Sequence, residues 1–114
     1  MKKFSMPSLR TDTQAFLSCV FNKKTYNFVF TLCEDFVLAD MYFLDNGENI
    51  YVFRGVPLVP EVDLIRRVKN PDIIKGSLYV KHKYGNDVDI TQDSFDSEFE
   101  LVYYDENELS EEVD

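Results

Sequence analysis

The sequence is constrained most by a two-residue alternation of apolar side chains that begins near residue 14 and recurs along the chain. In residues 26–32, one face of an extended chain would carry Tyr26, Phe28, Phe30 and Leu32. Side chains two positions apart share a face of a β-strand but not of a helix, so this period predicts strands. Similar aromatic and β-branched segments predict six strands, over residues 15–21, 26–32, 36–44, 50–54, 76–81 and 98–104.

Polar turn signals separate these segments and predict antiparallel neighbours. Asn46-Gly47 tolerates positive φ and is typical of a hairpin turn, and Pro57 and Pro60 predict an edge or a bend because proline donates no ladder hydrogen bond. The prediction is an all-β fold, a small antiparallel barrel or sandwich of about six strands, with at most one short helix near residues 62–69. A single β domain is expected over residues 14–106, between an extended arm at 1–13 and an acidic tail at 107–114.

The net charge of −9 is unevenly distributed. Residues 1–84 contain twelve basic and nine acidic residues, a net of +3, whereas residues 85–114 contain twelve acidic residues and no Lys or Arg, a net of −12. A negative excess disfavours nonspecific binding to nucleic acid and to anionic lipid. No apolar run reaches the roughly 18 residues of a transmembrane helix. We therefore expect no membrane association and no direct nucleic-acid binding.

The residues with reactive side chains do not form a recognisable catalytic or metal-binding motif. The single histidine, His82, lies between two lysines and is expected to be exposed. The acidic segment 87–98 has the spacing of a calcium loop, but Gln92 stands where the sharp turn requires glycine. Cys19 and Cys33 match no zinc or redox spacing and are expected to be reduced, half-buried thiols. The sequence predicts no enzymatic activity, no cofactor and no bound metal.

The two strands that flank the Asn46-Gly47 turn are apolar on both faces, whereas a small antiparallel sheet usually keeps one wet face. One face would pack on the core, and the other would be covered by the arm, by the segment at 62–69 or by another protein. The side chains of this hairpin that are expected at a partner interface are Tyr42, Leu44, Tyr51 and Phe53.

The order of several motifs resembles one known family. The chain reads Gly55-Val-Pro-Leu-Val-Pro-Glu-Val-Asp-Leu-Ile65, then Gly76-Ser-Leu-Tyr-Val80, then Phe95-Asp-Ser-Glu-Phe-Glu-Leu-Val-Tyr-Tyr-Asp105 after an acidic loop. The alternating segment 26–32 and the hairpin around Asp45-Asn46-Gly47 precede them. This progression, over residues 14–109, resembles the baseplate plug family of contractile-tailed bacteriophages. Phe36 stands where that family often has Trp.

The resemblance implies a structural, non-enzymatic virion protein of the tail baseplate, made in the host cytoplasm and without a cofactor. Its partners would be other baseplate proteins of the hub, tail-tube, wedge or sheath-initiator type, in a symmetric multi-copy assembly. A permanent assembly can bury apolar area that a monomer could not leave exposed. The arm would be ordered by a neighbour, with Phe4, Met6 and Leu9 as anchors.

The charge distribution leaves one alternative open. An acidic surface can occupy a basic cleft by presenting carboxylates where phosphates would bind. The chain would then be a phage-encoded acidic inhibitor or DNA-mimic adaptor that binds a basic host protein.

Overall fold

The computed structural model describes residues 1–9, 14–34, 36–66, 68 and 73–105, and these residues form seven β-strands in two antiparallel sheets. The all-β prediction is confirmed. In these ranges there is no helix, and so none that is long and apolar enough to cross a membrane. The strands are β1 (Lys2–Ser5), β2 (Gln14–Phe21), β3 (Lys24–Cys33), β4 (Phe36–Asp45), β5 (Glu48–Pro57), β6 (Ser77–His82) and β7 (Phe99–Tyr104).

Strands β2 to β5 form a four-stranded meander in the order β2-β3-β4-β5. Two of its hairpins have two-residue turns, in which Asn22 and Lys23 have φ values of 55° and 60°, and Asn46 and Gly47 have values of 53° and 82°. Positive φ at both turn positions gives a backbone twist that matches the right-handed twist of the flanking strands. The predicted Asn46-Gly47 turn is therefore observed.

Strands β1, β7 and β6 form the second sheet, with β7 in the centre. Val102 of β7 lies opposite Lys3 of β1 and Tyr79 of β6. The strand β1 was not predicted, because Lys2–Ser5 has four residues and no apolar alternation. It pairs with a strand near the other end of the chain, a long-range contact that no local pattern encodes.

Aromatic side chains from both sheets meet in one core. The ring of Phe21 from β2 stacks on those of Tyr26 and Tyr103, with centroid distances of 4.5 and 4.2 Å. Phe30 of β3 meets Phe95 edge-on at 5.1 Å. Stacked and edge-to-face rings at these distances are favourable aromatic contacts. The two sheets thus pack face to face as a sandwich.

The segment that follows β5 covers the outer edge of β6. The N–H groups of Glu61 and Leu64 donate to the carbonyl oxygens of Val80 and Leu78, at 3.1 and 2.8 Å. Asp63 Oδ1 accepts the N–H of Leu78 at 3.0 Å. The short helix allowed near 62–69 does not form in residues 62–66, and residues 67 and 69 lie outside the described residues.

The first nine residues are part of the folded domain. Phe4 packs against the core, and Met6 and Leu9 are buried in it. The side-chain amide of Gln92 donates to the carbonyl oxygen of Leu9 at 2.8 Å. The structure thus gives these three apolar side chains a place in their own chain, where the sequence had predicted a contact with a neighbour. Residues 10–13 of the predicted arm and the predicted tail at 107–114 lie outside the described residues.

Candidate assembly surface

The outer face of the four-stranded sheet carries exposed apolar side chains. Phe16 and Val20 of β2 and Leu44 of β4 expose 67%, 60% and 63% of their surface. Their strand neighbours, such as Cys19 and Phe43, are buried, because successive residues of a strand point to opposite faces. Apolar area that is grouped on one face of a protein marks a contact site.

Tyr42 of β4 and Tyr51 of β5 lie opposite each other on this face, with ring centroids 5.4 Å apart. The guanidinium of Arg54 lies 4.1 Å from the centroid of the Tyr51 ring, which is a cation–π distance. Tyrosine and arginine are both enriched in the cores of protein interfaces. Three of the predicted hairpin contacts, Tyr42, Leu44 and Tyr51, therefore share one surface.

A β-bulge redirects the fourth predicted hairpin residue, Phe53. The register between β4 and β5 shifts between the pairs Met41–Phe53 and Tyr42–Tyr51, so Val52 is an extra residue on β5. An extra residue interrupts the two-residue alternation along one strand. Phe53 consequently lies opposite the buried Met41 and packs against the core. The structure thus separates Phe53 from the outer face.

Polar side chains between the apolar ones have hydrogen-bond partners within the sheet. Ser18 Oγ donates to Asn27 Oδ1 at 2.7 Å, and Asp40 Oδ1 accepts the N–H of Gly55 at 2.6 Å. Burying a polar group is costly mainly when it loses its hydrogen bonds. A partner can therefore cover this face without leaving these groups unsatisfied.

The outer face of the three-stranded sheet is closed by its own side chains. Lys81 Nζ lies 3.1 Å from the hydroxyl of Tyr104, and Lys3 Nζ lies 3.5 Å from Glu100 Oε1. Val102, which shares this face with Glu100, exposes only 1% of its surface. Long lysine side chains cover apolar surface with their aliphatic stems and keep the charge in water. The outer face of the three-stranded sheet therefore buries its apolar side chain, whereas that of the four-stranded sheet leaves apolar side chains exposed.

His82 is buried, which corrects the prediction that it is exposed. Its side chain exposes 2% of its surface, and Nδ1 accepts the N–H groups of Tyr84 and Asn86 at 3.1 and 3.3 Å. A neutral ring with an accepting Nδ1 carries its proton on Nε2, which donates to Glu98 Oε1 at 3.2 Å. Both ring nitrogens therefore hold the turn after β6 against the start of β7.

The two cysteines lie on opposite faces of the four-stranded sheet. Cys19 is buried in the core and Cys33 is half-buried, and both are free thiols. Desolvation raises the pKa of the Cys19 thiol to about 12. Within the part of the chain that the structure describes, no three His, Cys, Asp or Glu side chains are grouped in a way that could hold a metal ion.

Phe16 and Val20 were missed by the sequence reasoning, although a signal was present. In residues 15–21 the period-two rule places Phe16 and Val20 on one face with Ser18, and Cys19 on the other with its apolar neighbours. This strand is therefore apolar on both faces, like the predicted hairpin. Phe16 and Val20 therefore share with Tyr42 and Leu44 a position on the second apolar face of a strand.

Comparison with known proteins gives a family match over most of the chain. The model of the family described as cyanophage baseplate Pam3 plug gp18 matches residues 3–106. This match spans both sheets, from β1 to β7, and confirms the resemblance noted in the sequence. No significant match to a curated protein was found.

Proposed function

Because the chain belongs to the phage baseplate plug family, whose model matches residues 3–106, we propose that it is a structural subunit at the centre of a contractile-tail baseplate. That match is the observation that carries the proposal. The protein would act by occupying its position and contacting its neighbours, with no reaction and no cofactor. Its site of action would be the virion, after synthesis in the host cytoplasm.

The outer face of the four-stranded sheet is the surface that we assign to these neighbours. Its apolar side chains include Leu44 and the Tyr42–Tyr51 pair, and its polar groups already have hydrogen-bond partners. Removing such area from water favours association, although the ordering of the partners offsets part of that gain. We propose partners of the hub, tail-tube, wedge or sheath-initiator type, in several symmetric copies.

Phe4, Met6, Leu9 and Phe53 receive a different role in this proposal. They contact the core of their own chain, so they support the domain and are not needed to bind a neighbour. Phe16 and Val20, which are exposed on β2, take their place on the partner surface. The proposed contact surface is therefore Phe16, Val20, Tyr42, Leu44 and Tyr51.

Mass spectrometry of purified virions from the phage that encodes the chain tests the location. We expect the chain to be present in a fixed ratio to the other tail proteins and to remain with isolated tails. Particles that infect normally but do not contain the chain would contradict the proposal.

A pair of matched substitutions tests the surface. Leu44→Asp places a charge on the proposed contact face and is expected to abolish incorporation into tails while the isolated protein stays folded. Val88→Asp is the control, because Val88 is also an exposed aliphatic residue but lies in the loop after β6. Equal incorporation of both variants would show that the four-stranded face is not the contact surface.

The salt dependence of binding distinguishes the alternative function, an acidic inhibitor, from the function of a baseplate subunit. Attraction between an acidic surface and a basic protein weakens as salt screens the charges, whereas assembly through apolar area does not. A protein that is missing from virions and binds a basic host protein only at low salt would favour the inhibitor.

A further inference from the structure

Three of the four sheet edges are protected against pairing with another strand. The outer edge of β6 is covered by residues 61–64. The strand β5 is interrupted by its bulge and ends at Pro57, and β1 has only four residues, two of which are lysines. Short length, lysine, proline, bulges and covering segments are the devices by which proteins prevent edge-to-edge association.

Among the residues that the structure describes, the strand β2 has none of these devices. Gln14–Phe21 is eight residues long and contains no charged residue and no proline. Its register with β3 is regular from Gln14 to Phe21, without a bulge. Among the described residues, β3 is its only partner strand. An edge that is long, regular and uncharged is a template for another strand.

Alternate residues of β2 direct their backbone groups towards this open side. Phe21 and Lys24 flank the two-residue turn and are partners in the ladder, so they form a hydrogen-bonded pair and the bonding alternates from there. The N–H and C=O groups that point away from β3 consequently belong to Gln14, Phe16, Ser18 and Val20.

We propose that the open edge of β2 pairs with the same edge of a second copy of this chain, antiparallel about a two-fold axis at Ser18. The sequence of the strand is self-complementary in that register. Phe16 lies opposite Val20 of the second copy, an aromatic and β-branched pair of the kind that stabilises antiparallel sheets. On the inner face Ala15 lies opposite Phe21 of the second copy, so a small side chain meets a large one.

The backbone supports the same register. Ser18, Phe16 and Val20 all direct their N–H and C=O groups to the open side, so the Ser18–Ser18 and Phe16–Val20 pairs are hydrogen-bonded pairs and alternate with non-hydrogen-bonded ones. The two four-stranded sheets would join into one continuous sheet. Two-fold self-pairing of one surface patch is the commonest form of protein homodimer. This inference does not depend on the baseplate assignment.

Charge substitutions at the two exposed positions test the pairing and its register. Phe16 and Val20 expose 67% and 60% of their surface, so lysine or glutamate is tolerated in the folded chain. The double variant Phe16→Lys with Val20→Lys places like charges opposite each other and is expected to be monomeric. The double variant Phe16→Lys with Val20→Glu places each lysine across from a glutamate of the second copy. It is expected to restore a dimer that weakens at high salt.

Sedimentation velocity over a wide range of protein concentration provides the readout, with circular dichroism to show that each variant is folded. We expect the wild-type chain to sediment as a dimer, the Lys/Lys variant to shift to the monomer value, and the Lys/Glu variant to return to the dimer value. Leu44→Asp, on the same face but outside β2, is expected to leave the dimer intact.

Two results would overturn the proposal. A wild-type chain that remains monomeric at every concentration would show that the β2 edge does not pair with a second copy. A dimer that Leu44→Asp dissociates and the Lys/Glu variant does not restore would indicate contact between sheet faces instead of strand edges.

Discussion

The outer faces of the two sheets differ in how much apolar surface they expose. The three-stranded sheet covers its outer face with contacts of its own, such as Lys81 to the Tyr104 hydroxyl at 3.1 Å, and leaves Val102 1% exposed. The four-stranded sheet leaves Leu44 63% exposed. The comparison shows that apolar residues on both faces of a strand have two outcomes, burial by the same chain or availability to another chain. Only the second outcome provides a surface for assembly.

Aspartate substitutions on the two outer faces should show the largest difference in the free energy of unfolding. Val102→Asp replaces a fully buried apolar side chain with a carboxylate, and we expect a loss of about 3–4 kcal/mol in the free energy of unfolding. Leu44→Asp adds a charge at an exposed position, and we expect a change within about 0.5 kcal/mol. Urea denaturation of both variants provides the measurement. Similar losses would mean that the four-stranded face is structurally closed too.

Substitution of Gly76, just before β6, should destabilise the closed sheet next most strongly. Gly76 has a φ of +97°, and an added Cβ would collide with the carbonyl oxygen of Tyr104 and approach the Tyr103 hydroxyl to 2.8 Å. We expect Gly76→Ala to cost about 2–3 kcal/mol in denaturant unfolding. Gly85→Ala is the matched control, because Gly85 has a φ of +76° with nothing near its Cβ. Equal costs would mean that backbone strain, and not the collision, dominates.

Removal of the Lys81 charge should open the closed face slightly. Lys81→Met keeps most of the aliphatic stem but removes the hydrogen bond to Tyr104 and the ion pair with Glu61 at 3.7 Å. We expect a loss of about 0.5–1 kcal/mol, measured by thermal unfolding at low salt. Lys2→Met, on the exposed edge strand β1, is the control and should be neutral. Equal stability of the two variants would mean that Lys81 contributes only by covering apolar surface with its aliphatic stem.

The effect of the cysteines depends on pH and should be the smallest of these effects near neutral pH. Burial raises the pKa of the Cys19 thiol from 9.0 to about 12, so between these values the folded chain holds a proton that the unfolded chain has released. The free energy of unfolding therefore decreases as the pH rises through this window and is unaffected below it. Cys19→Ala should show a shallower decrease, measured by urea denaturation at a series of pH values.

Thiol labelling compares the same two positions without denaturation. The half-buried Cys33 should react with a thiol reagent in the native protein, whereas Cys19 should react only on unfolding, because the reactive species is the thiolate. Equal labelling rates at neutral pH would mean that the core around Cys19 opens readily.

Much of the four-stranded sheet could be predicted from local sequence. The alternation of Tyr26, Phe28 and Phe30 defined β3, and Asn46-Gly47 defined the turn between β4 and β5. The partner surface could be predicted only in part. Tyr42 and Leu44 follow from the period of two, but the bulge at Val52 moved Phe53 to the core, and a bulge has no reliable signature in a single strand.

Contacts between distant segments explain the other differences. The strand β1 exists because it pairs with β7, and Met6 and Leu9 are buried because the two sheets leave room for them in the core. His82 is buried because it pairs with Phe99 of β7, whose ring meets the imidazole edge-on at 5.3 Å. The two-residue period places His82 on the same face as the buried Leu78 and Val80, whereas the prediction of exposure relied on the two adjacent lysines.

The sequence by itself determined the all-β class, the hairpin turns and the presence of strands that are apolar on both faces, because these depend on side-chain period and on backbone preferences of a few adjacent residues. The tertiary structure decided which of those faces is covered. Val102 lies between Lys3 of β1 and Tyr79 of β6 and is 1% exposed, whereas Leu44, Phe16 and Val20 remain exposed within the described residues. Burial is a property of the packed chain, so only the arrangement of the sheets separates a structural face from an assembly surface.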